Sequence, residues 1–230
     1  MISIIIPVYN QAQKLAQCLD SIAKQTYQDY QIIIVNDGST DNVEEVINSF
    51  YSQMSNVKCQ MFSQANQGSN PARNRGAKLA KGDFLLFCDA DIIMQPVMLK
   101  IMLETLKNNP QASYAYCSFK YGAKTFKLWP FDAKKLKQMP YIHTTSLIRK
   151  EHFPNWDEKI KRLQDWDLWL TMLEQSRIGV WIDQILFKVQ TGGTISNWLP
   201  KLTYKLLPFL PSVKKYKHVV KIIKQKHNLK

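Results

Sequence analysis

Two carboxylates, Asp89 and Asp91, stand one residue apart just after the apolar run Phe84-Leu85-Leu86-Phe87-Cys88. A strand of that composition is covered on both faces, so the acids emerge into a crevice of low dielectric. So placed they repel each other unless a cation joins them. Hard divalent ions, Mg2+ or Mn2+, take one or two carboxylates and complete their shell with phosphate oxygens and water. Asp89-Ala90-Asp91 therefore reads as a seat for a metal-bound nucleotide diphosphate, or more plainly as a capping pair on a loop. Other candidates are Pro7 and Tyr9 after the first apolar run, Asp37 in Asn36-Asp37-Gly38-Ser39, and Arg73. Further along come His143 and the acidic segment Gln164-Asp165-Trp166-Asp167-Leu168-Trp169. Each has a purely structural reading too. Pro7 and Tyr9 can pack a strand end, Asp37 can form an Asx turn, and Asp165 can cap a helix. Arg73 can be a solvated cation on a helix face, and His143 a satisfied core residue. Asp167 faces another side of its helix from Asp165, so the two acids cannot serve alike.

The elements that must hold these residues follow from periodicity. Apolar runs at 2–8, 32–35 and 84–88 predict buried strands, and 57–61 alternates like another. Helical spacing marks 12–23, 43–50, 70–80 with Gly82 as its C-cap, and 96–108. Strand–helix alternation at this pace predicts a mostly parallel α/β sheet covered on both faces. In such sheets ligands lie beyond the C-terminal strand ends, where Tyr9, Asp37 and Asp89 fall. The second half is less regular. Strands are expected at 112–119 and 144–149, with a basic, aromatic stretch between them. A helix opens at Gln164, and two short strands follow near Val180 and Phe187.

Taken together, the segments resemble a family 2 glycosyltransferase of the GT-A fold. The resemblance rests on Ile4-Ile5-Ile6-Pro7-Val8-Tyr9-Asn10, Cys18-Leu19-Asp20-Ser21-Ile22, Gln25-Thr26-Tyr27 and the run from Ile33 through Asn36-Asp37-Gly38-Ser39-Thr40-Asp41. It continues through Asn66-Gln67-Gly68, Ala72-Arg73-Asn74-Arg75-Gly76 and Gly82-Asp83-Phe84 into Asp89-Ala90-Asp91. It implies a Rossmann-like domain over 1–196, with a nucleotide-binding half at 1–110 and an acceptor-binding half at 111–196. By that resemblance Pro7, Tyr9 and Asp37 line the base pocket, Arg73 reaches base or phosphates, Asp89 and Ala90 border the donor, and Asp91, with Asp89, binds the metal. Asp165 is the implied catalytic base, with Trp166, Asp167 and His143 toward the acceptor. The implied reaction is metal-dependent, inverting transfer from a nucleotide diphosphate sugar, UDP-linked by this reading, to a hydroxyl of a glycan or lipid-linked glycan in surface polysaccharide synthesis. The sequence departs from the family at Asn36, at Gln164 where Glu is usual, and near Gln190 where relatives often carry His. The departures at Gln164 and Gln190 keep a non-catalytic binding module as an alternative. A nucleotidyltransferase is the other, but residues 9–14 lack the glycine its phosphate loop needs.

The 230 residues carry a net charge of +13, and nine lysines with no acid lie within 197–230. The remainder is nearly balanced, so the charge belongs to the tail. Ser212 is expected to cap a basic amphipathic helix with Val213, Tyr216, Val220 and Ile223 on one face. Such a segment suits an anionic membrane surface, or alternatively docks on its own domain. No nucleic-acid-binding motif is present. No apolar run reaches membrane-spanning length and no leader is recognisable, so a cytoplasmic protein peripheral to the membrane is expected. The four cysteines lack metal-ligand spacing and are read as small buried residues.

Overall fold

The computed structural model describes residues 1–53, 58–192 and 210–229. Its N-terminal half is a βα alternation: β1 (Ile2–Val8), α1 (Ala12–Ala23), β2 (Tyr30–Asn36), α2 (Val43–Gln53), β3 (Lys58–Ser63), α3 (Ser69–Leu79) and β4 (Phe84–Phe87). Every residue of β1 and β2 is buried. Alternate side chains of a strand point to opposite faces, so the sheet is covered on both sides there. Strands β3, β2, β1 and β4 lie side by side, all parallel. Pro7 costs β1 no bond to β4, because that pairing ends at Ile5 with Phe87, before the position of its missing N–H.

The second half comprises β5 (Ile92–Met94), α4 (Met98–Asn108), β6 (Tyr114–Tyr121), β7 (Lys124–Phe126), α5 (Ala133–Gln138), β8 (Leu147–Arg149), α6 (Gln164–Glu174), β9 (Gly179–Val189) and α7 (Pro211–Lys226). The sheet runs β3-β2-β1-β4-β8-β6-β9-β5, with β7 paired to β6. Beyond β4 it becomes mixed. β8 is antiparallel to both β4 and β6, β9 is parallel to β6, and β5 is antiparallel to β9. The sheet is thus continuous across residues 110 and 111.

Several expectations shift. Helix α3 ends at Leu79 with extended Ala80 as its C-cap, not at Gly82, whose N–H instead donates to Ser3 Oγ. The two short strands expected near Val180 and Phe187 are one 11-residue strand. Its register slips opposite Cys117 and Ser118, pushing the exposed Asp183-Gln184 out of the ladder and hiding its continuity. Helix α5 has a single buried residue, Leu136, and so no periodic signal; its start is fixed by Asp132, whose side chain accepts from Lys135 N. Helix α7 starts at Pro211, without a side-chain cap from Ser212. Cys18, Cys88 and Cys117 are buried as expected, while Cys59 is half-buried. Residues 193–209, which include the end of the expected domain and the start of its tail, lie outside the described residues.

Candidate active site

The site is assembled where β1, β2 and β4 end. After β4 the chain turns through Asp89-Ala90-Asp91 into β5, with Ala90 buried and Ile92 N–H donating to Asp89 O. Arg73, only 4% exposed, projects from α3. Its position depends on Gly76, because a Cβ there would collide with the Ile5 side chain of β1. Arg73 Nη2 donates to Asp89 Oδ1 at 2.7 Å, and its Nη1 donates to Gln164 Oε1 at 2.9 Å and Asn70 Oδ1 at 3.0 Å. Its guanidinium carbon lies 4.8 Å from the centre of the Trp156 ring. Through this one cation the acidic pair after β4 meets the N-terminus of α6, residues 89 and 164 being remote in sequence. Gln164 also accepts from Ser69 Oγ. As a neutral amide it supplies the acceptor that Arg73 needs without adding a carboxylate to Asp89, Asp91 and Asp165.

Asp91 and Asp165 are the unusual acids of this crevice. Burial, then the Asp89 carboxylate, push Asp91 up to about 6, against the pull of Lys14 and Arg73. Asp165 is also pushed up to about 6 by burial, while the Trp166 N–H that donates to its Oδ1 at 2.9 Å and the Arg73 charge oppose the rise. Both therefore change charge within the range where strongly shifted acids mark functional crevices.

The remaining candidates spread around this centre. Tyr9 is 42% exposed beside the Asp37 turn, whose N–H donates to Val8 O. Pro7 is buried within β1. Asp37 is only 3% exposed. Its carboxylate accepts from Gln64 Nε2, Gln67 N and Gly68 N at 2.8, 3.0 and 2.8 Å, pinning the loop that leads into α3. One acceptor direction on Oδ2 is left over. His143 packs beside the stacked rings of Phe119 and Phe187, and its Nδ1 accepts from Thr145 N–H. Burial lowers it to about 4, so it is neutral at physiological pH. Asp89 and Arg73 act on its charge, which puts it within electrostatic reach of the site. Trp166 is buried, its indole N–H donating to Leu136 O. Asp167 is buried as well and is met by Lys226 and His227 of the C-terminal segment.

Two residues were not singled out by the sequence reading. Lys14 Nζ donates to Thr191 O at 2.9 Å and acts on Asp91. Gln190, read there only as a departure, donates its backbone N–H to Asp91 O, and its Nε2 is buried with no partner among the described residues. Only spatial proximity reveals either one.

Comparison with known proteins accords with this geometry. The sequence profile of glycosyl transferase family 2 matches residues 3–165. The chain belongs to this family. A glycosyltransferase of Haemophilus influenzae, itself uncharacterized, is 30% identical over 193 residues, covering 76% of this chain and 63% of the relative. The chondroitin synthase of Pasteurella multocida is 31% identical over 184 residues, 76% of this chain but 19% of the synthase. The chain thus spans only part of the curated relatives it matches. Among solved structures, S. aureus TarS in complex with UDP superposes with a TM-score of 0.71 at 18% identity, covering 83% of this chain and 60% of that one. A Pyrobaculum calidifontis mannosyltransferase in complex with GDP-Man and Mn2+ gives 0.70 at 15% identity, covering 86% and 58%. At such identities the likeness establishes the shared GT-A glycosyltransferase fold. This family 2 glycosyltransferase keeps its acids and its arginine in one crevice.

Proposed function

We propose that the chain transfers a sugar from a nucleotide diphosphate sugar, UDP-linked in our reading, to an acceptor hydroxyl of a glycan or lipid-linked glycan, with inversion at the anomeric carbon. The observation that carries this is the chain of contacts Asp89–Arg73–Gln164, which joins the acidic pair, read as the metal seat, to the residue next to Asp165, read as the base. Relatives and neighbours whose names include a polysaccharide synthase and UDP or GDP-Man complexes support the same class of chemistry.

The donor set suits a divalent cation. Asp91 is raised by burial and then by the like-charged Asp89, and a cation would offset both. Among the described residues no group of three His, Cys, Asp or Glu could enclose an ion, so Asp91, with Asp89, would share it with diphosphate oxygens and water. Such an ion, Mn2+ or Mg2+, would supply charge neutralisation of the leaving diphosphate. The unpartnered Gln190 Nε2 offers a donor on the same side. Arg73 holds Asp89 and adds positive charge. The last acceptor direction of Asp37 and the exposed ring of Tyr9 suit a uracil base over Pro7. Asp165 takes the proton of the acceptor hydroxyl as that oxygen attacks the anomeric carbon and the bond to the diphosphate oxygen breaks on the opposite face. Inversion comes from the family resemblance. His143, neutral, can donate from Nε2 to the acceptor.

The partner surface we infer for the tail is an anionic membrane. The apolar side of α7 is used internally: Val213 and Ile223 are buried and Val219 and Val220 pack on the core. What faces outward is Lys214, Lys215, Lys217, His218 and Lys221, with half-exposed Ile222. Contact by charge rather than by insertion follows, with about 1 kcal/mol per lysine at low salt. No helix among the described residues is long and apolar enough to cross a membrane.

A panel of nucleotide sugars with Mn2+ tests the reading, scored by release of nucleoside diphosphate. Asp165→Asn should lower kcat by roughly 10²–10⁴ with donor binding intact. Asp91→Ala should abolish metal-dependent nucleotide binding. Full turnover by Asp165→Asn would remove it as the base.

A further inference from the structure

Asp167 lies in the first turn of α6, two residues after Asp165, and is only 3% exposed. Two cations from the far end of the chain meet it. Lys226 Nζ is 2.7 Å from Asp167 Oδ1 and also 2.8 Å from Asp157 Oδ2. His227 Nε2 is 2.9 Å from Asp167 Oδ1, and its Nδ1 is 2.8 Å from Glu174 Oε1. An ionised carboxylate only accepts hydrogen bonds, so an imidazole between two of them satisfies both only as the imidazolium. Burial opposes that charge, but the paired carboxylates prevail and hold His227 above its ordinary value. The end of α7 is itself fixed. Asn228 is left-handed at φ 50, its N–H donates to Gln225 O, and Leu229 N–H donates to Lys224 O. These bonds form a Schellman cap that sets where Lys226 and His227 project.

The grip reaches both sides of the catalytic crevice. The segment around Asp157 is tied to α3, because Asn70 Nδ2 donates to Asp157 O and Ile160 O, and Asn74 Nδ2 donates to Trp156 O. Helix α3 carries Arg73. Leu163, left-handed at φ 54, caps α6 without a side-chain bond, and within the first turn Asp165 Oδ1 accepts from Trp166 N–H, so the placement of that turn bears directly on the Asp165 carboxylate. We propose that Lys226 and His227 are positioning residues for glycosyl transfer: a two-pronged clamp that fixes the first turn of α6, and with it the aim of Asp165, against the helix bearing Arg73. This rests on Asp165 being the base.

The clamp is protonation-dependent. The groups facing His227 are Asp167 and Glu174 from α6 and Lys226 from its own helix, with Asp157 linked through Lys226. Loss of the imidazolium proton leaves one ring nitrogen facing a carboxylate with no proton between them, while Lys226 still holds Asp167. Since the folded state raises the His227 pKa, its prong of the clamp is fully formed around the ordinary imidazole value and is lost as pH rises through the raised one.

The test uses the full chain and the nucleotide sugar of highest turnover, with kcat and donor KM followed between about pH 6 and 9. Amide exchange of Trp166, Asp167 and Leu168 is followed alongside. His227→Gln should lower kcat by roughly 10–100-fold with donor KM unchanged. It should also abolish the alkaline decline expected of the native enzyme and speed exchange at those three amides. His227→Lys, which keeps a cation, should recover part of kcat. Lys226→Met should repeat the kcat loss but keep the alkaline decline. Native kcat and an unchanged pH profile in His227→Gln would overturn the proposal, as would faster exchange without any change in kcat. Failure of the base assignment is distinct: it shows as full turnover in Asp165→Asn, with the Asp167 and Leu168 amides exchanging at native rates.

Discussion

Asp91 and Asp165 are both held near 6 by burial, and this has a measurable consequence for the metal-free protein. Their folded pKa lies above the roughly 3.9 of an unfolded Asp. Between those values the folded state binds the extra proton, so stability falls as pH rises from about 4 through 6 and stays lower above. The metal-free protein should therefore melt at higher temperature at pH 5 than at pH 7.5. Asp91→Asn should flatten that dependence and raise the neutral-pH Tm by a few degrees, about 2–4 °C per kcal/mol for a chain of this size. An unchanged melting curve would mean that Asp91 already has a compensating charge. For turnover the sign reverses, since a base must be ionised: kcat/KM should decline below about pH 6. At this scale the sequence was informative where chemistry was local, as with Asp89-Ala90-Asp91 directly after its strand. Lys14, the Gln190 amide and the Asp37 loop partners act across the fold, and no spacing along the chain announces them.

At the scale of elements, α3 decides whether the arginine arrives. Its contact with β1 is so close at Gly76 that any side chain there must displace the helix or Ile5. Gly76→Ala should destabilise by about 1–3 kcal/mol, as overpacking does, and weaken donor binding by moving Arg73. Denaturant unfolding and nucleotide titration check the two effects separately. The N-terminal elements were readable because β1, β2 and β4 are near-continuous apolar runs, joined by helices with a clean apolar face. The short pieces β5, β7 and α5 were not, because three residues, or a helix with one buried side chain, carry no periodicity. Strand β9 was misread for a related reason: its register slip interrupts the apolar pattern at Asp183 and Gln184.

At the scale of the whole molecule, the tail has two separable sides. Its apolar face and charged end bind the enzyme, and its lysine face points away. Charge reversal of Lys214, Lys217 and Lys221 should therefore abolish salt-sensitive flotation with anionic liposomes while leaving Tm and soluble turnover unchanged. Flotation that survives the reversal would remove the electrostatic reading of that face. The sequence pointed to an amphipathic basic helix, but a helical wheel cannot tell whether the apolar side meets lipid or protein.

The interlacing of β5 and β9 bears on how the enzyme comes to life on the ribosome. The tripeptide Asp89-Ala90-Asp91 leaves the exit tunnel early, yet β5 just behind it has its ladder partner, β9, about a hundred residues later. Nascent domains fold as their contacts become available. Until Val189 has emerged, β5 lacks its ladder partner, so an unfinished chain has not yet closed the Asp91 end of the crevice that we propose for the donor.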